Sequence, residues 1–344
     1  MDRLTAPGLL PLELGDGPPP DPTAEPAGFV VVSDDGNRIH FLDWGPGALA
    51  AGGPHAPEAR ASGAGAAASP DGAIGVLLLP GLASTAWSWA AVARRLTETA
   101  RAVAVDLRGH GLSDSPTEEY APNALAGDAI AVAEGTSLLA LPGERQAPPL
   151  VLAGIGYGAV VAAWTARALG PRCAGLVLVD GGWEDVAVAT EATPEEWLAS
   201  IAEPPEVLAS LRAWLADRAA FDPSTWDADE ERAARAQVVE TAAGRVKLAV
   251  HPHALAASVR ALWSCEPATV LPDVVAPIVA LMARDEEGSR LAALAEVARR
   301  RLEAGRPPIR VAAFPERGHN LARHEPGAVA AAVLAVATGT TMRP

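Results

Sequence analysis

Between Pro149 and Val161 the chain reads PLVLAGIGYGAVV. A short apolar run gives way to Gly154-Ile155-Gly156-Tyr157-Gly158 and then to an Ala/Val-rich stretch. This is the strand, sharp turn and helix of a G-x-S-x-G nucleophile elbow, with glycine at the apex in place of serine. Gly156 has no side-chain atom, so covalent catalysis at this position is impossible. The turn itself loses nothing. Its apex normally holds a backbone conformation that costs other residues on the order of 1 to 3 kcal/mol, and glycine adopts such angles readily.

Other chemistry-bearing residues fit weaker patterns. His251 and His253 form an H-x-H pair, but no nearby acid or cysteine completes a metal site. Cys173 and Cys265 make neither a disulfide framework nor a metal spacing, which suits a reducing compartment. His110 lies in an Arg-Gly-His-Gly turn and reads as structural. The opening MDRLTAPGLLPLELGDGPPP has no long apolar core that would mark a secretory signal. No stretch reaches the roughly 18 to 20 apolar residues of a membrane helix. A cytoplasmic location is the expectation. The formal charge of −15 repels nucleic acid and anionic membranes. A small-molecule substrate or ligand is therefore the expected partner, with no nucleic acid, membrane, metal or cofactor.

The elements that must position the Gly156 turn follow from pattern. Residues 1–27 are rich in Pro and Gly and read as a loose, disordered leader. FVVVSDDGNRIHFLDWG carries a hairpin signal at Asp35-Gly36. In the stretch 46–73, 21 of 28 residues are Ala, Gly or Pro, which predicts a disordered insertion. From Ile74 onward apolar strands alternate with helical stretches: IGVLLLP, RAVAVDL, PLVLAGI and CAGLVLVDG, each followed by a helix-like segment. Continuous apolar strands separated by helices imply a mostly parallel sheet covered on both faces, an α/β fold. Residues 183–271 break the alternation, and their helical character with no clear strand predicts an inserted lid. That segment holds five of the nine tryptophans, which read mainly as packing residues. The core is thus expected over 28–182 and 272–340.

Four further segments, in order, carry a resemblance. Leu79-Pro80-Gly81-Leu82 with Ser84, Trp87 and Trp89 is one. Asp106-Leu107-Arg108-Gly109-His110-Gly111 with Ser113 is the second. Pro277 to Asp285 is the third, and Gly318-His319 ahead of Glu325-Pro326 the fourth. Together with the elbow they resemble the α/β-hydrolase superfamily from Phe29 to about Thr338, in its chain order of nucleophile, acid and histidine. The resemblance implies an α/β-hydrolase fold with a helical lid. It also implies that Asp285 orients His319 as a general base, and that the Leu82 and Tyr157 amides form an oxyanion hole. Trp183 is the expected substrate-binding residue of the lid. An aspartate at position 156 would have pointed to a dehalogenase or epoxide hydrolase, and glycine excludes both. Ser84 and Ser113 sit at motif positions that do not suit a displaced nucleophile. Two functions stay open: an enzyme using an Asp–His dyad on a small apolar carbonyl compound without a covalent intermediate, and an inactive ligand-binding relative.

Overall fold

Strands that are apolar on both faces need cover on both faces, and this requirement organises the molecule. The computed structural model describes residues 6–45, 74–140, 148–285 and 288–337; the Ala/Gly/Pro-rich stretch 46–73, expected to be a disordered insertion, lies outside the described residues. The elements run β1 (Leu9–Pro11), β2 (Ala27–Val32), β3 (Arg38–Asp43), β4 (Ile74–Leu79), α1 (Ala90–Leu96), β5 (Ala100–Val105), α2 (Pro122–Gly135), β6 (Leu150–Ile155), α3 (Tyr157–Leu169) and β7 (Cys173–Val179). After an inserted segment come β10 (Ile278–Met282), α10 (Ser289–Glu303), β11 (Ile309–Ala313), α11 (Leu321–His324) and α12 (Pro326–Ala337).

Nine strands form one sheet in the order β1-β11-β10-β7-β6-β4-β5-β3-β2. Only the β2–β3 and β3–β5 pairs are antiparallel. Strand β6 shows how the period of two divides the core. Leu150 and Leu152 face a layer that includes residues of α2, α3 and α10, while Val151, Ala153 and Ile155 face one that includes α1 and α12. From β4 the chain moves outward to β5 and then returns to β6 on the other side. The ends of β4 and β6 therefore flank a topological switch point, where open α/β sheets bind ligands.

The Asp106–Ser113 motif acts as a fastener. The Asp106 carboxylate accepts the amides of Ala86 at 2.7 Å and Leu112 at 3.0 Å and contacts His40 Nδ1 at 2.8 Å. The Ser113 hydroxyl donates to the Asp106 carbonyl at 2.6 Å, which occupies it structurally. Arg108 is buried between Asp128 and Asp35, with contacts of 2.6 and 2.7 Å. Burial alone would raise Asp35, but its hydrogen bonds from Ser33 and Arg108 bring the carboxyl down to about 2.

The segment read as a loose leader is built into the fold from residue 6. Strand β1 pairs in parallel with β11, Leu9 opposite Ile309, and Leu9 is buried. Beyond it Leu12 and Leu14 pack on the α1/α12 layer, and Arg95 donates to the Pro18 carbonyl at 2.8 Å. The prolines supply turns, and the leucines between them supply the anchorage.

The inserted segment holds α4 (Val186–Thr190), α5 (Pro194–Ser200), α6 (Leu211–Phe221), α7 (Ala228–Ala236), α8 (Pro252–Trp263) and α9 (Pro267–Val270). It also contains a short antiparallel pair, β8 (Val238–Glu240) with β9 (Val246–Leu248), where no strand was expected. Trp214 is buried against Val238 and Val246, and Trp197 packs at a tilt against Trp263 with ring centroids 5.4 Å apart, so these tryptophans pack the insertion itself. Leu262, Cys265 and Leu271 join the main core, and polar contacts add to them. Arg94 of α1 bonds Asp229 at 2.9 Å, and Arg323 of α11 reaches the Thr225 hydroxyl at 2.7 Å and Glu230 at 3.3 Å.

Burial raises Glu230 to about 7; the nearby Arg323 charge opposes this, and Asp227 and Asp229 add to it. The folded chain then binds a proton that the unfolded chain, near 4.5, releases earlier. Stability is therefore lost as pH rises from about 4.5 through about 7. Between pH 5 and pH 8 the parent should lose on the order of 2 to 3 kcal/mol more than Glu230→Gln. Urea unfolding at the two pH values checks this, and parallel loss in both proteins contradicts it.

Candidate active site

The turn after β6 is shaped by two close approaches. A Cβ on Gly154 would lie 2.2 Å from the Gly158 carbonyl oxygen, and one on Gly158 would lie 2.1 Å from the Leu79 carbonyl oxygen. Strand, helix and the end of β4 are thus in backbone contact, which any side chain would block. Gly156 has φ +53° and ψ −113°, the strained apex conformation. Its amide donates to the Val179 carbonyl at 3.1 Å and its carbonyl accepts Ala159 at 3.1 Å, so the apex is held from both sides.

His319 stands over this apex. A Cβ built on Gly156 would be 2.9 Å from His319 Nε2 and 3.2 Å from Cε1. The imidazole occupies the room that a nucleophile's first carbon would need. On its other side, Nδ1 is 2.6 Å from Asp180 Oδ2. An ionised carboxylate can only accept, so Nδ1 carries the proton and Nε2 offers its lone pair toward Gly156. The side chain of His319 is 64% exposed while that of Asp180 is 2% exposed, an open imidazole on a buried carboxylate.

The carboxylate that His319 contacts is therefore Asp180, where the sequence pattern had suggested Asp285. Asp180 directly follows β7, the strand next to β6, and its amide donates to the Leu281 carbonyl at 2.8 Å. Its Oδ1 accepts the Ala283 amide at 2.8 Å and the Arg290 guanidinium at 2.6 Å. Burial alone would raise this carboxyl, but the hydrogen bond with His319, the Arg290 charge and the Ala283 amide outweigh burial and hold it below the usual carboxylate range. Asp285 lies three residues past the end of β10, and its two oxygens accept the Gly288 amide at 3.0 Å and the Leu291 amide at 2.9 Å. Those amides begin α10 and have no intrahelical acceptor, so the helix start claims the carboxylate. The signal in the sequence was an aspartate closing the apolar run CAGLVLV just before Gly181-Gly182.

Of the two amides expected to bind an oxyanion, that of Tyr157 directly follows the apex and that of Leu82 lies in the turn after β4. Tyr157 opens α3, so its N–H has no intrahelical acceptor. The Gly81–Ser84 turn carrying Leu82 closes with a 3.2 Å bond from the Ser84 amide to the Gly81 carbonyl, and Gly81 sits against Ile155. Among the described residues neither the Leu82 nor the Tyr157 amide donates to a backbone carbonyl. The Tyr157 side chain is buried, with its hydroxyl 3.3 Å from the Tyr120 carbonyl, and burial pushes the phenol up.

Trp183 is not placed to touch a substrate. It is 1% exposed, its indole N–H donates to the Arg290 carbonyl at 3.1 Å, and its ring lies 5.4 Å from the Arg290 guanidinium carbon. His110 is buried with Nδ1 on the Arg108 carbonyl at 3.0 Å, and burial lowers its basicity. Among the described residues no three His, Cys, Asp or Glu side chains gather as a metal site. No helix among them is long and apolar enough to cross a membrane. A cavity of about 650 Å³ bounded by Trp164, Arg167, Arg260 and Glu266 is lined by none of Gly156, Asp180 and His319.

Fold and site together define a class: mostly parallel α/β proteins with a sharp glycine-framed turn and a histidine–carboxylate pair where the strands end. This chain belongs to the Alpha/beta hydrolase family, whose sequence profile matches residues 76–332. Among solved structures it is similar to E-2-(acetamidomethylene)succinate hydrolase, with 19% identity, a TM-score of 0.68, and 90% of this chain and 98% of that one covered. It is also similar to the thioesterase domain from the curacin biosynthetic pathway, at 20% identity and TM-score 0.62, covering 90% and 99%. A third is an alpha/beta hydrolase from Novosphingobium aromaticivorans, at 19% identity and TM-score 0.61, covering 92% and 100%. A search of curated proteins returns no match.

A methyl group at position 156 must push the imidazole away, because no real Cβ tolerates a 2.9 Å contact. Gly156→Ala should cost about 1 to 3 kcal/mol of stability and weaken the His319–Asp180 hydrogen bond. Chemical denaturation and the downfield Nδ1–H resonance of His319 report the two effects, and an unchanged resonance would contradict the crowding.

Proposed function

We propose that the protein uses His319, oriented by Asp180, as a general base on a small, largely apolar carbonyl compound, with no covalent enzyme intermediate. The observation that carries this reading is the placement of His319 Nε2 within 2.9 Å of where a Cβ of residue 156 would stand. The base sits in the nucleophile's place and keeps its carboxylate partner.

In the hydrolytic version, Nε2 takes a proton from a water molecule as its oxygen adds to the substrate carbonyl carbon. Asp180 stabilises the imidazolium that forms. The amides of Leu82 and Tyr157 donate to the oxyanion, and such donors need no particular side chain. Collapse expels the leaving group, which takes the proton back from Nε2. The same base could instead remove a proton α to the carbonyl, giving lyase or cyclase chemistry. The inserted segment 183–271 serves as the lid over this site, and its acidic helices limit the choice toward neutral or cationic compounds.

General-base assistance is worth roughly 10² to 10⁴ in rate. On activated esters, lactones and enolisable ketones, His319→Ala should lose at least about 10²-fold in kcat/KM. Asp180→Asn should fall by a similar factor, and Asp285→Asn should stay within about threefold because its carboxylate serves a helix start. Turnover that appears only in Gly156→Ser would mark a disabled serine hydrolase and defeat the proposal. Ligands that raise the melting temperature without any turnover would identify a binding protein instead.

A further inference from the structure

We propose that Arg290 is a positioning residue for the His319–Asp180 pair, and that Glu184 sets how much of the Arg290 charge Asp180 receives. This rests on the base role proposed for His319. Four groups form one chain: Glu184 Oε1 to Arg290 Nε at 2.8 Å, an Arg290 terminal nitrogen to Asp180 Oδ1 at 2.6 Å, and Asp180 Oδ2 to His319 Nδ1 at 2.6 Å. The side chains of Asp180, Glu184 and Arg290 are 2%, 15% and 20% exposed. Arg290 lies in the first turn of α10, between the two amides that Asp285 accepts, and Trp183 braces it by ring contact and by its N–H on the Arg290 carbonyl.

The geometry divides labour between the two carboxylate oxygens of Asp180. Oδ1 is fixed by Arg290 and the Ala283 amide, which leaves Oδ2 facing the imidazole and unable to rotate away. A cation on Oδ1 also draws charge from Oδ2, so the imidazolium gains less from Asp180 than it would from an unshared carboxylate. Glu184 works the other way by neutralising part of Arg290. Its burial raises the carboxyl, and the Arg290 charge opposes that rise. Among the described residues, three further charges on the neighbouring elements are engaged elsewhere: Asp285 on the α10 amides, Arg317 on Glu325 at 2.6 Å, and Arg284 on the Pro315 carbonyl at 3.4 Å.

The test follows the Cε1–H resonance of His319 by NMR across about pH 5 to 9, assigned among the seven histidines by its loss in His319→Ala. Arg290→Met should move the titration midpoint up by about one pH unit, because a cation is removed and the imidazolium gains an unshared carboxylate. Glu184→Gln should move it down by about half a unit, because Arg290 then acts undiminished. Arg290→Lys should return it to within a few tenths of the parent. A purely structural role predicts that both Arg290→Met and Glu184→Gln loosen Asp180 and shift the midpoint in the same direction. Shifts of the same sign, or no shift, overturn the proposal. Should Arg290→Met fail to fold, an unchanged or raised midpoint in Glu184→Gln overturns it alone. Failure of the base role appears separately, as turnover that survives His319→Ala while the midpoints still move.

Discussion

At the carboxyl end of the sheet, backbone stands directly against backbone. Gly154 meets Gly158, Gly158 meets the end of β4, and a Cβ on Gly181 would fall 2.8 Å from the Gly156 Cα. Four glycines in three close approaches leave no room for side chains, and this constraint fixes where β4, β6, β7 and α3 end relative to one another. Everything that bears on chemistry is measured from that knot. The Leu82 turn follows β4, the Tyr157 amide opens α3, Asp180 ends β7, and His319 reaches across from β11.

A serine at the apex would be activated by the imidazole beside it. With glycine there the imidazole stands where a Cβ would be, bonded to a buried carboxylate that is itself fully coordinated. The buried part of the site is thus more elaborate than its exposed part. A polar network taken out of water is costly unless every member is satisfied, and here the chain from Glu184 to His319 satisfies almost all of it. Only Glu184 Oε2 has no partner among the described buried side-chain atoms of that chain.

The sequence made the sheet, the Gly156 apex and His319 legible because each depends on local pattern: apolar runs of strand length, glycines at fixed offsets, a histidine after the last strand. The choice between Asp180 and Asp285 depends on which carboxylate the following loop captures. Both close apolar strands, and only coordinates reveal that the α10 amides hold Asp285. The leader was misread because proline and glycine dominate its composition while three spaced leucines, Leu9, Leu12 and Leu14, determine its fate. The β8–β9 pair is too short, at three residues a strand, to show any alternation.

Pairing β1 with β11 joins residues some 300 positions apart along the chain, Leu9 with Ile309. During synthesis the earlier partner emerges long before the later one exists, so this margin of the sheet closes among the final events of folding. The strand that waits for it is the one leading to His319, which ties placement of that imidazole to completion of nearly the whole polypeptide.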